Sequence, residues 1–158
     1  MRVGCIQSNY IPWRGYFDFI DSVDLFLFHD DVQYTKGDWR NRNKLKYRVP
    51  HKSKWLTVPV HYKDKEQLIQ DTEIDYSTQW RASHVNKFIQ NYAPAVFFKD
   101  AMKILEEGFS FHDETISQLN TSLIRIICDY YDIETTRKIV SDYNCEGSKT
   151  EKLISIMK

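Results

Sequence analysis

Leu25-Phe26-Leu27-Phe28 runs directly into His29-Asp30-Asp31-Val32-Gln33-Tyr34-Thr35-Lys36-Gly37-Asp38-Trp39-Arg40-Asn41-Arg42-Asn43. Four consecutive large apolar residues leave no polar face, so they predict a strand covered on both sides, as in parallel sheets between helix layers. The acid, imidazole, amide and guanidinium groups that follow fall where such a strand emerges. In open α/β sheets ligands bind in the crevice outside the carboxyl ends of the strands. The stretch is therefore the expected active or binding site, and the rest of the chain its support.

Upstream, residues 3–6 are a short apolar run, Pro12 and Gly15 punctuate a turn, and Tyr16, Phe17, Phe19, Ile20 and Val23 recur at helical spacing. Together with Leu25 to Phe28 this is a βαβ unit. If its strands are parallel neighbours, residues 7–14 and 29–31 face each other across one edge. Downstream, residues 44–49 and 55–60 flank a polar turn and predict a hairpin, with Pro59 marking an edge or irregular arm. Residues 67–76 suggest a further strand around Glu73-Ile74-Asp75.

The remainder reads as helical. Trp80, His84, Phe88 and Tyr92 fall four apart on one face of a helix over 78–92. A second helix over 101–107 is expected to stop at Gly108, and a third over 113–131 carries Ile116, Leu119, Leu123, Ile126, Ile127 and Tyr130. Residues 135–140 predict another strand of the parallel sheet. Residues 148–158 form an amphipathic helix whose Leu153, Ile154 and Met157 stripe lacks a following element, so a second copy of the chain, a homodimer, is one way to cover it. The expected fold is α/β, a single domain over 1–158: a short parallel sheet with a basic β-hairpin insertion and covering helices, Rossmann-like.

Composition fits that picture. The chain has 158 residues, 42% of them hydrophobic and 15% aromatic, ample for one core. No signal-peptide pattern and no apolar run of membrane-spanning length is present, so a cytoplasmic protein is expected. Cys5, Cys128 and Cys145 lack a paired spacing, and the five histidines form no ligand motif; neither a disulfide framework nor a metal site is expected. The glycine-rich dinucleotide, phosphate-loop and nucleophile-elbow fingerprints are missing, which excludes those signatures rather than the functions, since a nucleotide can sit on a helix amino terminus without them; no cofactor is expected. Net charge is zero, yet residues 33–65 hold ten Lys or Arg against only Asp38 and Asp64. That excess suits an anionic ligand, although basic hairpin edges also serve to discourage strand addition.

The residues divide by chemistry. His29 and Asp31, two apart on an extended chain, share a side and could act as a general base with its orienting carboxylate, while Asp30 points away. The plainer alternative is a surface histidine beside a turn-capping aspartate. Arg40 and Arg42 offer planar donor forks for phosphate or carboxylate. Of the two, Arg42 is the expected binder. Asn41 and Asn43 can donate to or accept from a sugar, Trp39 can stack on a ring or plug a core, and Lys36 can neutralise an anion or remain solvated. Gln7, Asn9 and Tyr10, in the first turn after the first strand, can orient a ligand. His84 reads as a satisfied core histidine.

Gln7, Tyr10, Pro12, Trp13, Gly15, Tyr16 and Phe17, then Asp31, Val32, Gln33, Tyr34, Lys36, Trp39, Asn41, Arg42 and Asn43, and finally Trp55-Leu56-Thr57-Val58-Pro59-Val60 resemble the corresponding motifs of the WbqC-like proteins. Ser8 stands where the family has proline. The resemblance implies a role in O-antigen or other surface polysaccharide biosynthesis, with transfer of a glycyl, other aminoacyl or acyl group to an activated amino sugar. It also implies that the carboxyl-terminal part usual in the family lies beyond this chain. The expected partner is an anionic small molecule, a nucleotide sugar or an acyl carrier. The alternative is a noncatalytic nucleotide- or nucleic-acid-binding protein; a long nucleic acid is disfavoured by the acidic remainder of the chain.

Overall fold

A computed structural model describes residues 1–47 and 52–143. Strand β1 (Val3–Ile6) leads through helix α1 (Arg14–Asp21) to strand β2 (Leu25–Phe28). A hairpin of β3 (Arg42–Lys46) and β4 (Ser53–Thr57) follows. Helices α2 (Trp80–Tyr92), α3 (Phe98–Ser110) and α4 (Ile116–Tyr130) then lead to strand β5 (Thr136–Ile139). The predicted helix over 148–158 lies outside the described residues.

The three apolar strands form one parallel sheet in the order β1-β2-β5, with Ile6 opposite Phe28 and Phe28 opposite Ile139. Phe26, Leu27 and Phe28 are all buried although alternate residues point to opposite faces, so the central strand is covered on both sides. One face packs Phe26 and Phe28 with Tyr16 and Ile20 of α1 and Ile124 and Cys128 of α4. Aromatic rings meet edge to face here, Phe26 on Phe28 at 5.2 Å and Tyr16 on Phe26 at 5.7 Å. The fold is the expected α/β arrangement with a hairpin insertion.

The hairpin has its own core. Leu45 and Leu56 point inward with Val58, Ile69, Ile74, Tyr10, Tyr34 and Trp80, against Ile116, Leu119 and Leu123 of α4. Helix α4 thus serves both cores, and between its two apolar faces lies a buried polar stripe of Ser117, Asn120 and Thr121. A reciprocal capping box fixes its start: Gln118 N–H donates to the Thr115 hydroxyl, and the Thr115 N–H donates to the Gln118 side chain.

Several local boundaries differ from the sequence expectation. The hairpin pairs from Arg42 rather than Lys44. Its second arm ends at Thr57, because Val58 N–H returns to the Asn41 carbonyl and Val60 leaves to bridge Ile74. Residues 67–76 make only isolated bridges, Leu68 to Gln33, Glu73 to Thr115 and Ile74 to Val60, because each pairs with a different segment. Gly108 does not end its helix. It sits inside α3 where a Cβ would lie 2.3 Å from the buried Leu123 side chain, so the glycine permits the α3–α4 approach. Gly108→Ala is accordingly expected to lower stability by about 1–2 kcal/mol, overpacking outweighing the better helix propensity of alanine. Unchanged or higher stability in urea unfolding would mean that Leu123 yields freely.

Candidate functional site

The parallel register delivers two segments to the same sheet edge. Beyond Ile6 come Gln7, Ser8 and Asn9; beyond Phe28 come His29, Asp30 and Asp31, and the His29 N–H extends the ladder to the Ile6 carbonyl at 3.1 Å. Alternation then sorts the side chains. His29 Nδ1 lies 2.9 Å from an Asp31 carboxylate oxygen, both side chains about nine-tenths buried, in a close contact whose geometry falls short of a shared hydrogen bond.

Asp30 turns inward and is fully buried. One carboxylate oxygen accepts the Ser8 N–H at 2.8 Å and the other accepts the Ser117 hydroxyl at 2.5 Å. Asn120 donates to the Ser8 hydroxyl at 3.2 Å and to the Arg40 carbonyl at 2.8 Å, so α4 is tied to both strand ends and to the root of the hairpin. Buried polar groups are stable only when so connected. The Asn120 side-chain oxygen is the exception, buried without a hydrogen-bond partner among the described residues.

Arg40 closes the cluster. Its guanidinium donates to the Asn9 side-chain oxygen and, at 3.3 Å, to that of Gln7, with the Asp38 carboxylate 3.6 Å away. Gln7 and Asn9 are therefore brought together by an arginine. That arginine is Arg40, whereas Arg42 lies over the Trp55 ring at 4.1 Å. The two arginines part because Arg40 still belongs to the turn and only Arg42 begins the strand.

The other candidates are placed as follows. Tyr10 is fully buried, its phenol 2.9 Å from His84 Nδ1, and burial pushes the phenol's pKa far up, so it remains protonated. Asn41 and Val58 exchange bonds at 2.8 and 2.9 Å, with the Asn41 side-chain oxygen left without a hydrogen-bond partner among the described residues. Asn43 donates to the carbonyls of Tyr10 and Ile11, pinning a loop in which the β-branched Ile11 takes the left-handed φ of 44°. Trp39 accepts the Tyr10 N–H through its carbonyl and exposes its ring beside Trp55. Lys36 is exposed, its ammonium 5.2 Å over the Tyr62 ring. The candidates thus fall in three places and not one shared pocket: Gln7, Asn9, His29 and Asp31 at the sheet edge, Tyr10, Asn41 and Asn43 in and around the hairpin core, and Lys36, Trp39 and Arg42 toward the outer surface.

Sequence reasoning missed Asp30, Ser117 and Asn120 as parts of the sheet-edge cluster. The available signal was the polar triplet Ser117, Asn120 and Thr121 at helical spacing inside an otherwise apolar helix, which marks a buried polar stripe. Among the described residues no group of three or more His, Cys, Asp or Glu could hold a metal ion.

His84 gives a pH prediction. Burial lowers its pKa to about 4, aided by Lys87 and opposed by a bond to the Thr57 backbone. The unfolded histidine binds a proton near pH 6.5, so the native state should be most stable above that pH. It should lose up to about 3 kcal/mol as pH falls toward 4. Denaturant titrations at pH 7 and 4.5 should show this loss in the wild type and a smaller one in His84→Gln; identical slopes would contradict it.

The model of the WbqC-like protein family matches residues 7–158. The chain is 41% identical over 157 residues to Uncharacterized protein Rv1507c of Mycobacterium tuberculosis, covering 98% of this chain and 67% of that protein. No solved structure matches.

Proposed function

The chain belongs to the WbqC-like protein family, and on that footing we propose that it is a cytoplasmic transferase of surface polysaccharide biosynthesis, moving a glycyl, other aminoacyl or acyl group to the amine of an activated sugar. The observation that carries the reading is the His29–Asp31 contact at 2.9 Å on the carboxyl edge of the parallel sheet. An imidazole beside a carboxylate there can take the proton of an attacking amine. The amine nitrogen bonds to the acyl carbon, the bond from that carbon to its oxygen or sulfur leaving group breaks, and His29 returns the proton to the departing atom. Arg40, tied to Gln7 and Asn9 at the neighbouring strand end, is the group we assign to polar or anionic parts of the substrate.

The test is direct. A nucleotide-linked amino sugar and a thioester or ester of glycine are incubated with the full chain, and the N-acylated sugar is sought by mass spectrometry. Product with the wild type and its loss in His29→Ala are expected. A noncatalytic nucleotide- or nucleic-acid-binding role is the second reading, favoured by the exposed basic hairpin; it predicts binding of the same nucleotide sugar with no product from any acyl donor. Among the described residues no helix is long and apolar enough to cross a membrane.

A further inference from the structure

The hairpin register fixes which side chains share its outer face. Leu45 and Leu56 are buried inward, so Arg42, Lys44 and Lys46 of β3 and Ser53, Trp55 and Thr57 of β4 share the other side. Three cations lie on that face without a carboxylate among them. The two acids of residues 33–65 are engaged elsewhere: Asp38 accepts the Trp39 N–H and faces Arg40, and Asp64 accepts the N–H groups of Glu66 and Gln67. Arg42 makes no ion pair among the described residues. Its guanidinium lies over the Trp55 ring and close to the left-handed turn at Gly37 (φ 77°), where the glycine leaves it room.

Two tryptophans stand open beside these charges. Trp39 and Trp55 are 42% and 38% exposed, their ring centroids 5.4 Å apart and their planes at 53°. Lys44 adds its ammonium 5.0 Å from the Trp55 ring. Exposed aromatic faces beside fixed cations are the two halves of a nucleotide site, one stacking the base and the other neutralising phosphate. The cations span only about 13 Å of strand, which suits a diphosphate with its attached rings better than a long polyanion.

We infer that the outer face of the β3–β4 hairpin binds the nucleoside diphosphate part of an activated sugar, with the base stacked on Trp39 beside Trp55 and the diphosphate held by Arg42 and Lys44. The choice of an activated sugar rests on the transferase reading. On this assignment the hairpin holds the handle of the substrate while the sheet edge works on its amine.

The test titrates the full chain with uridine and adenosine diphosphates, following tryptophan fluorescence and calorimetry. Inorganic pyrophosphate, uridine and an oligoribonucleotide of about twelve residues serve as partial probes. The diphosphates should quench the fluorescence and bind at least about tenfold more tightly than pyrophosphate or uridine. Trp39→Ala and Arg42→Ala should each weaken them by about tenfold or more, with circular dichroism unchanged. Pyrophosphate binding as tightly as the diphosphates with Trp39→Ala silent would overturn the inference. So would an oligonucleotide that binds more than about tenfold more tightly than either diphosphate at physiological salt, since it would give the face to nucleic acid. Diphosphate binding with no acyl transfer from any donor would sink the transferase reading alone. Transfer that persists in Trp39→Ala with unchanged KM would sink the hairpin assignment alone.

Discussion

Asp30→Ala is expected to cost about 2–5 kcal/mol of folding stability, a large part of what a domain of this size possesses. Asp30 is fully buried and its carboxylate accepts two hydrogen bonds, from the Ser8 N–H and the Ser117 hydroxyl. Alanine leaves both donors inside the protein, and a main-chain N–H fixed at the end of β1 cannot turn toward water. Each orphaned group costs about 1–3 kcal/mol, partly offset because a desolvated carboxylate is removed as well. Asp30→Asn should cost less, about 1–2 kcal/mol, since an amide oxygen can still accept from Ser8 while its NH2 donates to the reversible Ser117 hydroxyl. Urea unfolding of the two variants separates these outcomes. Two neutral substitutions would show that the carboxylate's burial penalty equals everything its bonds return.

The second large effect is on turnover. His29→Ala should slow transfer by about 10²–10⁴-fold, because among the described residues no other imidazole stands at the sheet edge: His84 is buried against Tyr10, and His61 and His112 line a separate cleft with Tyr76 and Glu73. In that position Nδ1 faces Asp31, leaving the other ring nitrogen to take the amine's proton. The Asp31 carboxylate then faces the imidazolium that forms when the proton is taken, in a position of low exposure where opposite charges attract more strongly than in open water. Affinity for the nucleotide sugar should change little, because the proposed assignment gives the handle and the reacting amine to different elements. A His29→Ala enzyme with wild-type turnover would leave the His29–Asp31 pair a structural contact.

Much of this was legible before any coordinates. Strand β2 announces itself because four apolar residues in a row have no solvent face, and β1 and β5 follow from short β-branched runs beside helices. The local alternation rule put His29 and Asp31 on one side and Asp30 on the other, as found. Where Asp30 points was not legible, since its partner Ser117 is 87 residues away and nothing local reveals which helix lies beneath a strand end. The two arginines were hard for a different reason. Arg40 and Arg42 share a face only on an extended chain, and the strand starts between them, so one reaches Gln7 and Asn9 and the other stacks on Trp55. Gly108 misled because a glycine at a helix end and a glycine at a helix crossing look alike until the facing residue, Leu123, is known. Asn43 has a structural task that the sequence did not reveal: its amide holds the Tyr10–Ile11 turn.

The central claim is that the sheet-edge pair performs proton transfer while other residues hold the substrate. Asp31→Asn tests it most directly, because the change keeps the side chain's size and removes its charge. The account predicts turnover reduced by at least about tenfold with equilibrium affinity for the nucleotide sugar within about twofold of wild type. Unchanged turnover, or an affinity that falls in step with it, would contradict the assignment.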